Sequence, residues 1–379
     1  MKTPNIADLD TPAALIDEQR MQANIDRMQS RMNQLGVKFR PHVKTSKCLP
    51  VVKAQIQAGA QGITVSTIKE AQQFFAAGMT DILYAVCIVP SKLPAALDLR
   101  KQGCKLTIIT DSVVGAKAIV DFGKTHHEAF DVWIEIDADG HRSGIPPESD
   151  TLLMVAEILH SGGMMLGGVM AHAGSSYDHD NVQGLKQISQ QERNYTVRAA
   201  QRLREAGLPC PVVSIGSTPT ALTVEDLSGV TEFRAGVYVF FDLVMHNVGV
   251  CQTEEIALSV LTSVIGHQPE KGWAIVDAGW MAMSRDRGTQ KQKRDFGYGL
   301  VCDETGDPMT GYVMGSANQE HGIVCLSEGL DADIASRFPV GTRLRIVPNH
   351  ACATGAQFPQ YHAVLDNGDI KTWERFYGW

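Results

Sequence analysis

Two hydrophobic rhythms divide the chain. Between Val37 and Gly236, short runs rich in β-formers alternate with segments whose apolar residues recur at helical spacing, the pattern of repeated βα units. The runs read as strands are Val37–Lys44, Gly62–Ser66, Asp81–Val86, Lys105–Thr110, Val132–Asp137, Leu166–His172, Pro211–Gly216 and Glu232–Ala235. Helical segments between them carry stop signals: Thr67–Ala77 runs into Gly78, and Gln191–Ala206 into Gly207 and Pro209, where glycine can take the left-handed cap conformation. Eight parallel strands separated by helices predict closure into a (β/α)₈ TIM barrel rather than an open sheet.

After Gly249 the rhythm shortens. Ile256–Val264, Gly272–Val276, Gly311–Met314, Gly322–Leu326, Arg343–Val347 and Gln360–Leu365 read as strands bounded by Gly, Pro and Asp, and long helical patterns are nearly absent. The expected fold is therefore α/β: a barrel over 17–249 and a second, mainly-β C-terminal domain over 250–379. Residues 1–16, with a strand at Pro12–Ile16, are assigned to the β domain.

Composition changes this picture little. Of 379 residues, 44% are hydrophobic and 20% charged, which is ordinary for a globular chain with a large core. The net charge of -8 offers no general attraction to nucleic acid or anionic membrane. The N-terminus lacks the apolar core of a signal peptide and no segment is apolar enough to span a bilayer, so a cytoplasmic location is expected. Eight scattered cysteines include no C-x-x-C pair.

Four segments bear chemistry. In Arg40-Pro-His-Val-Lys44-Thr-Ser-Lys47 a lysine ends the first strand, at the barrel face where active sites lie. Lysine suits a Schiff base because its pKa falls when it is desolvated or set near another cation, and Arg40, His42 and Lys47 are close in sequence. A basic strand end at the solvent rim is the competing reading. Gly216-Ser217-Thr218 after the seventh strand and Gly236 to Tyr238 after the eighth offer small-residue loops for a phosphate; each alone also reads as an ordinary helix cap. The fifth and sixth strands lead into Arg142, His172 and Tyr177, which could hold a cofactor ring or be merely exposed loop residues. Finally, His350 and Cys352 stand two apart at the end of an apolar strand, projecting the same way, an imidazole and thiolate pair suited to zinc or a neighbouring transition metal.

Taken in order, Arg-Pro-His-Val-Lys44-Thr-Ser-Lys, Gly216-Ser-Thr-Pro-Thr, Arg-Ala-Gly236-Val-Tyr, Asp277-Ala-Gly-Trp, Gln319-Glu-His-Gly and Pro-Asn-His350-Ala-Cys352 resemble the metal-activated D-serine dehydratase, D-threo-3-hydroxyaspartate dehydratase and D-threonine aldolase family, alanine-racemase-like enzymes of PLP fold type III. The resemblance implies pyridoxal 5'-phosphate (PLP) on Lys44, a divalent metal (Zn, Mn, Co or Ni) on His350 and Cys352, and a homodimer with sites at the subunit interface. His-x-Cys resembles the dehydratase branch; aldolase relatives commonly carry His-x-Asp. The implied reaction is loss of water from a D-β-hydroxy amino acid, with D-threo-3-hydroxyaspartate giving oxaloacetate and ammonia and D-serine giving pyruvate. Retro-aldol cleavage is the nearest alternative, racemisation is a further one, and a non-catalytic PLP-binding protein is the alternative of another class. The roles of Gln319, His321, Asp277 and Arg285, and the cation for a second substrate carboxylate, stay open.

Overall fold

A computed structural model describes residues 5–379; the first four residues, assigned from sequence to the β domain, lie outside the described part. The chain divides into two compact units. One comprises Arg27–Gly236 with the C-terminal Phe376–Trp379, the other Val237–Arg375 with the N-terminal stretch as far as Asp26.

The first unit contains eight parallel strands, Lys38–Pro41, Ile63–Val65, Asp81–Cys87, Lys105–Thr110, Asp131–Ile136, Met165–Ala171, Val212–Ile215 and Glu232–Ala235. From the second strand to the eighth each pairs with the next in sequence, and the eighth returns to the first. A parallel bridge between His42 and Thr64 closes the ring, with the Val43 amide donating to the Thr64 carbonyl at 2.9 Å. Strands covered on both faces should be apolar along their length, and Lys105–Thr110 and Asp131–Ile136 are buried at every position but the first. Helices begin where side chains satisfy their free amides: Thr67 accepts from the Glu70 amide at 3.0 Å ahead of Ile68–Ala76. Asn181 accepts from the Gly184 amide at 2.8 Å ahead of Val182–Glu205. That second helix starts well before Gln191, because its polar opening turns conceal the apolar stripe.

Charged residues also occupy the barrel strands. Arg40 Nε donates to Glu232 Oε2 at 2.8 Å and its Nη1 to Asp81 Oδ1 at 2.6 Å. Ser214 Oγ donates to Glu232 Oε1 at 2.7 Å and accepts from Arg234 Nη1 at 2.7 Å. Such groups hold only as a paired set, since deleting one partner strands a buried charge.

In the second unit, nine strands form one sheet among the described residues. The N-terminal strand Ala13–Asp17 lies antiparallel to Leu258–Gln268 and parallel to Gln360–Val364. Trp273–Val276, Pro308–Ala317, Gly322–Leu326 and Arg343–Pro348 match expected strands. Gly299–Cys302 and Ile370–Glu374 were not anticipated. Leu15, Ile16, Val260, Leu261, Ile346 and Tyr361 are fully buried in this sheet's core, each aliphatic side chain contributing about 1.5–3 kcal/mol by leaving water. No helix among the described residues is long and apolar enough to cross a membrane.

Candidate cofactor and metal sites

Lys44 stands beyond the first strand, not in it. The strand ends at Pro41, His42 makes the closing bridge, and Val43 to Ser46 form a turn that exposes Lys44 at the barrel's strand ends. Of the cations near it in sequence, Arg40 is committed to Glu232 and Asp81, and Lys47 pairs with buried Glu70 at 3.0 Å. The positive charges that act together with Lys44 on His42 and His172 come instead from Arg142 and Arg234. Burial first, then those charges, hold His42 well below the usual imidazole range. Its Nδ1 is buried without a hydrogen-bond partner, an atom whose isolation is costly unless another group meets it. His172 accompanies it as a neutral ring: burial, reinforced by Lys44, Arg142 and Arg234, pushes its pKa down to about 3 despite the bond to Gly216. Because a carbonyl can only accept, His172 Nδ1 donates to the Gly216 oxygen at 2.8 Å.

That bond joins two of the loops singled out from sequence. Gly216 has φ +139, and a Cβ there would lie 2.0 Å from the Arg234 carbonyl oxygen, so glycine is required for the loop to pack against the eighth strand. Ser217 caps Thr218–Thr223, accepting from the Thr220 amide at 3.2 Å, and Ser217, Thr218 and Thr220 are all buried. Ser176, from the loop after the sixth strand, shares a 2.8 Å hydroxyl contact with Ser217. At Gly236 an added Cβ would come within 3.0 Å of the His42 carbonyl and 3.1 Å of Thr45 Oγ1. Small residues, hydroxyls and amides beside a lysine and two guanidiniums are a donor set that fits a phosphate-bearing aldehyde cofactor.

Glu192, which sequence reasoning missed, braces these loops. It is fully buried, and its Oε1 accepts from the Ala173 amide at 2.8 Å and the Gly216 amide at 3.0 Å. A signal for it existed: Leu185, Ile188, Ser189, Glu192 and Thr196 lie on one buried helix stripe, so a glutamate there occupies a core position. Burial pushes its carboxyl up to about 7, against the pull of the Ala173 amide, Thr220, Arg234 and the Gly216 amide. The native state thus holds this proton more tightly than the unfolded chain. The stabilisation it brings is complete below the ordinary carboxyl value near 4.5 and is lost as pH rises through about 7. Glu192→Gln, which keeps an acceptor oxygen, is expected to remove up to about 3 kcal/mol of the fall in unfolding free energy between those values. Urea midpoints measured across that range check it, and parallel curves for wild type and variant would assign the slope elsewhere.

Arg142 and Tyr177 are placed less firmly. Arg142 is exposed, with Nη2 3.6 Å from Glu135 Oε1, and the Tyr177 and His172 ring centroids are 6.3 Å apart. Glu135 also accepts from the Cys87 thiol at 3.3 Å, and with Asp111 these ligand-bearing atoms fall within 4.8 Å of one another. Burial, Glu135 and Asp111 all push the Cys87 thiol up. Tyr238 belongs to the other unit, where it is buried in the turn Val237–Val239.

In the β-rich unit the chain departs from the expected strand geometry. Arg343–Pro348 stops at Pro348, His350 becomes the N-cap of the short helix Ala351–Gly355, and Cys352 sits in that helix's first turn. Strand alternation therefore does not bring the two side chains together; the turn sets Cys352 near enough to the His350 ring to help raise its pKa. Asp286 Oδ2 is 2.5 Å from His350 Nδ1, leaving Nε2 as the nitrogen open to a metal. Burial disfavours the imidazolium, but Cys352, Asp286 and Asp242 outweigh it and hold His350 well above its usual range. Asp242 accepts from the Ala351 amide and the Met245 amide, both at 2.9 Å. An imidazole nitrogen and a thiol converging at a partly exposed position fit a borderline-soft divalent ion with open coordination sites. Asp277 has a different task, accepting from Thr11 at 2.5 Å, Thr262 at 2.7 Å and the Ser263 amide at 2.9 Å. Arg285 stacks over Trp280 with 4.7 Å to the ring centroid.

Comparison with known proteins follows the same division. Residues 16–244 match the model of the alanine racemase N-terminal domain, and 257–364 that of a serine dehydratase domain. D-threo-3-hydroxyaspartate dehydratase from Delftia sp. (strain HT23) is 64% identical over 373 residues, covering 98% of both chains. D-serine dehydratase from Dictyostelium discoideum is 30% identical, covering 97% of this chain and 96% of its own. A solved D-threo-3-hydroxyaspartate dehydratase, a cysteine-to-alanine mutant in the metal-free form, superposes with a TM-score of 0.99 at 63% identity. It covers 99% of this chain and 100% of its own.

Proposed function

The chain belongs to the PLP-dependent family of D-threo-3-hydroxyaspartate dehydratase, D-serine dehydratase and D-threonine aldolase, and we propose that it is a dehydratase converting D-threo-3-hydroxyaspartate to oxaloacetate and ammonia, with D-serine to pyruvate as a second reaction. The observation that carries this reading is His350, bonded to Asp286 and followed by Cys352 in the next helical turn, because such a pair suits a Lewis acid, which assists departure of a β-hydroxyl and for which racemisation has no use.

When bound, PLP supplies an electron sink that acidifies the Cα proton, and a divalent metal supplies the polarisation that lets hydroxide leave. Lys44 is the residue that would hold the cofactor through its Nζ, and the same amine would take the Cα proton. The Gly216 and Gly236 loops, with Ser217 and Thr218, hold the phosphate. His172, kept neutral by burial and held in place by its bond to Gly216, would orient the cofactor together with Arg142 and Tyr177. His350 Nε2 and Cys352 Sγ hold the metal, with zinc, manganese, cobalt and nickel all compatible with that pair. The enamine left by loss of water tautomerises and is hydrolysed to the 2-oxo acid and ammonia. The same reading includes a homodimer in the cytoplasm, which sedimentation of the purified protein and cell fractionation address.

One assay separates dehydration from aldol cleavage. With D-threonine as substrate the expected products are 2-oxobutyrate and ammonia; glycine and acetaldehyde as main products would replace this reading with the aldolase.

A further inference from the structure

We propose that Asp286 is the positioning residue that orients His350 and sets how tightly the metal is held. The proposal rests on the reading of His350 and Cys352 as metal ligands and adds a residue that spacing along the chain does not indicate, since Asp286 and His350 are 64 positions apart.

The geometry starts with the 2.5 Å contact between Asp286 Oδ2 and His350 Nδ1, short enough for a charge-assisted hydrogen bond. A carboxylate only accepts, so Nδ1 keeps its proton, and Nε2 is the nitrogen that would give up its proton and offer a lone pair to a metal. One contact thus selects both the tautomer and the ring orientation that a metal requires.

Asp286 is itself held. Its amide donates to Ser284 Oγ at 3.2 Å, and its carbonyl accepts from Asn349 Nδ2 at 3.4 Å. Asn349 is buried, donates also to the Gly297 carbonyl at 2.7 Å and accepts from Thr289 Oγ1 at 3.0 Å. The residue preceding His350 in sequence therefore ties down the loop that bears Asp286. On the other side Asp242 fixes the Ala351 amide at 2.9 Å, so the backbone on both sides of the imidazole is anchored. The guanidiniums adjoining Asp286 are directed elsewhere, Arg285 over Trp280 and Arg287 to Asp295 at 2.9 Å. The Asp286 carboxylate is thereby aimed at the imidazole.

The test is a cobalt(II) titration of the PLP-loaded, metal-stripped enzyme, followed by thiolate-to-cobalt absorption and calorimetry. Asp286→Ala is expected to weaken cobalt binding about 10–100-fold, and Asp286→Asn, which keeps an accepting oxygen but no charge, by roughly three- to tenfold. The cofactor's visible absorption should be unchanged in both, which a general loosening of the fold would not allow. Should Asp286→Ala fail to fold, the isosteric Asn variant decides alone. His350→Ala separates the two claims. If it loses cobalt while the Asp286 variants bind as wild type does, the metal assignment stands and the role of Asp286 is overturned; if it too binds as wild type does, both fall.

Discussion

Lys44→Ala is expected to lower kcat/KM by at least about 10³-fold and to remove the visible absorption of the lysine-linked cofactor, because in the proposed mechanism one side chain is both covalent anchor and proton acceptor. The loops around Gly216, Ser217, Thr218 and Gly236 are untouched by this change, so the variant should still bind PLP noncovalently and yield it on gel filtration. Lys44→Arg sharpens the test. A guanidinium preserves the charge that depresses His42 and His172, yet it forms no Schiff base and stays protonated. If the charge were the useful property, the Arg variant would keep most of the activity; if the amine is, Arg and Ala should be equally inactive. A small primary amine in solution should then restore part of the turnover in the Ala variant, which has space for it, and little in the Arg variant. Turnover by Lys44→Ala within about tenfold of wild type would remove Lys44 from the mechanism.

Much of the fold is visible in the periodicity because long-range constraints reinforce the local ones there. Strands such as Lys105–Thr110 are buried at every position but the first and centre on an apolar and β-branched run, and helices such as Ile68–Ala76 carry both a cap and a glycine stop. Short strands escape: Gly299–Cys302 has four residues between turns, and Ile370–Glu374 buries only Ile370 and Trp373. The site was legible where chemistry is local. Lys44, the Gly216 loop and the His350 and Cys352 pair stand within short motifs that the sequence displays by itself, though the strands beside Lys44 and His350 end at Pro41 and Pro348. It was not legible where a residue acts across the fold. Asp286 reads as part of an exposed Arg-Asp-Arg cluster until His350 meets it from the far end of the sheet domain's sequence, and Glu192 reads as an ordinary polar helix residue until its stripe proves buried. Arg234 hid in a strand whose alternate charges, Glu232 and Arg234, are buried, a pattern that marks a polar barrel interior more than an edge.

Removing the metal is expected to stop dehydration while leaving the cofactor in place, and that combination is what distinguishes this reading from generic PLP chemistry. A Lewis acid at the leaving hydroxyl supplies several kcal/mol, and at about 1.4 kcal/mol per factor of ten its loss should slow turnover by roughly 10²–10⁴-fold. Exhaustive chelation, His350→Ala and Cys352→Ala should therefore reach similar low rates, and the double variant should be scarcely worse than either single one, since each already removes a shared ion. Proton exchange at Cα is the informative second readout. If Lys44 takes that proton independently of hydroxide departure, metal-free enzyme in deuterated water should still exchange the Cα hydrogen of a D-amino acid without releasing ammonia. Adding back zinc, manganese, cobalt or nickel to the chelated wild type should restore ammonia release, with rates that rank the ions by function where affinity trends alone do not. Chelated enzyme that keeps full dehydration, with His350→Ala equally active, would take the pair out of the reaction.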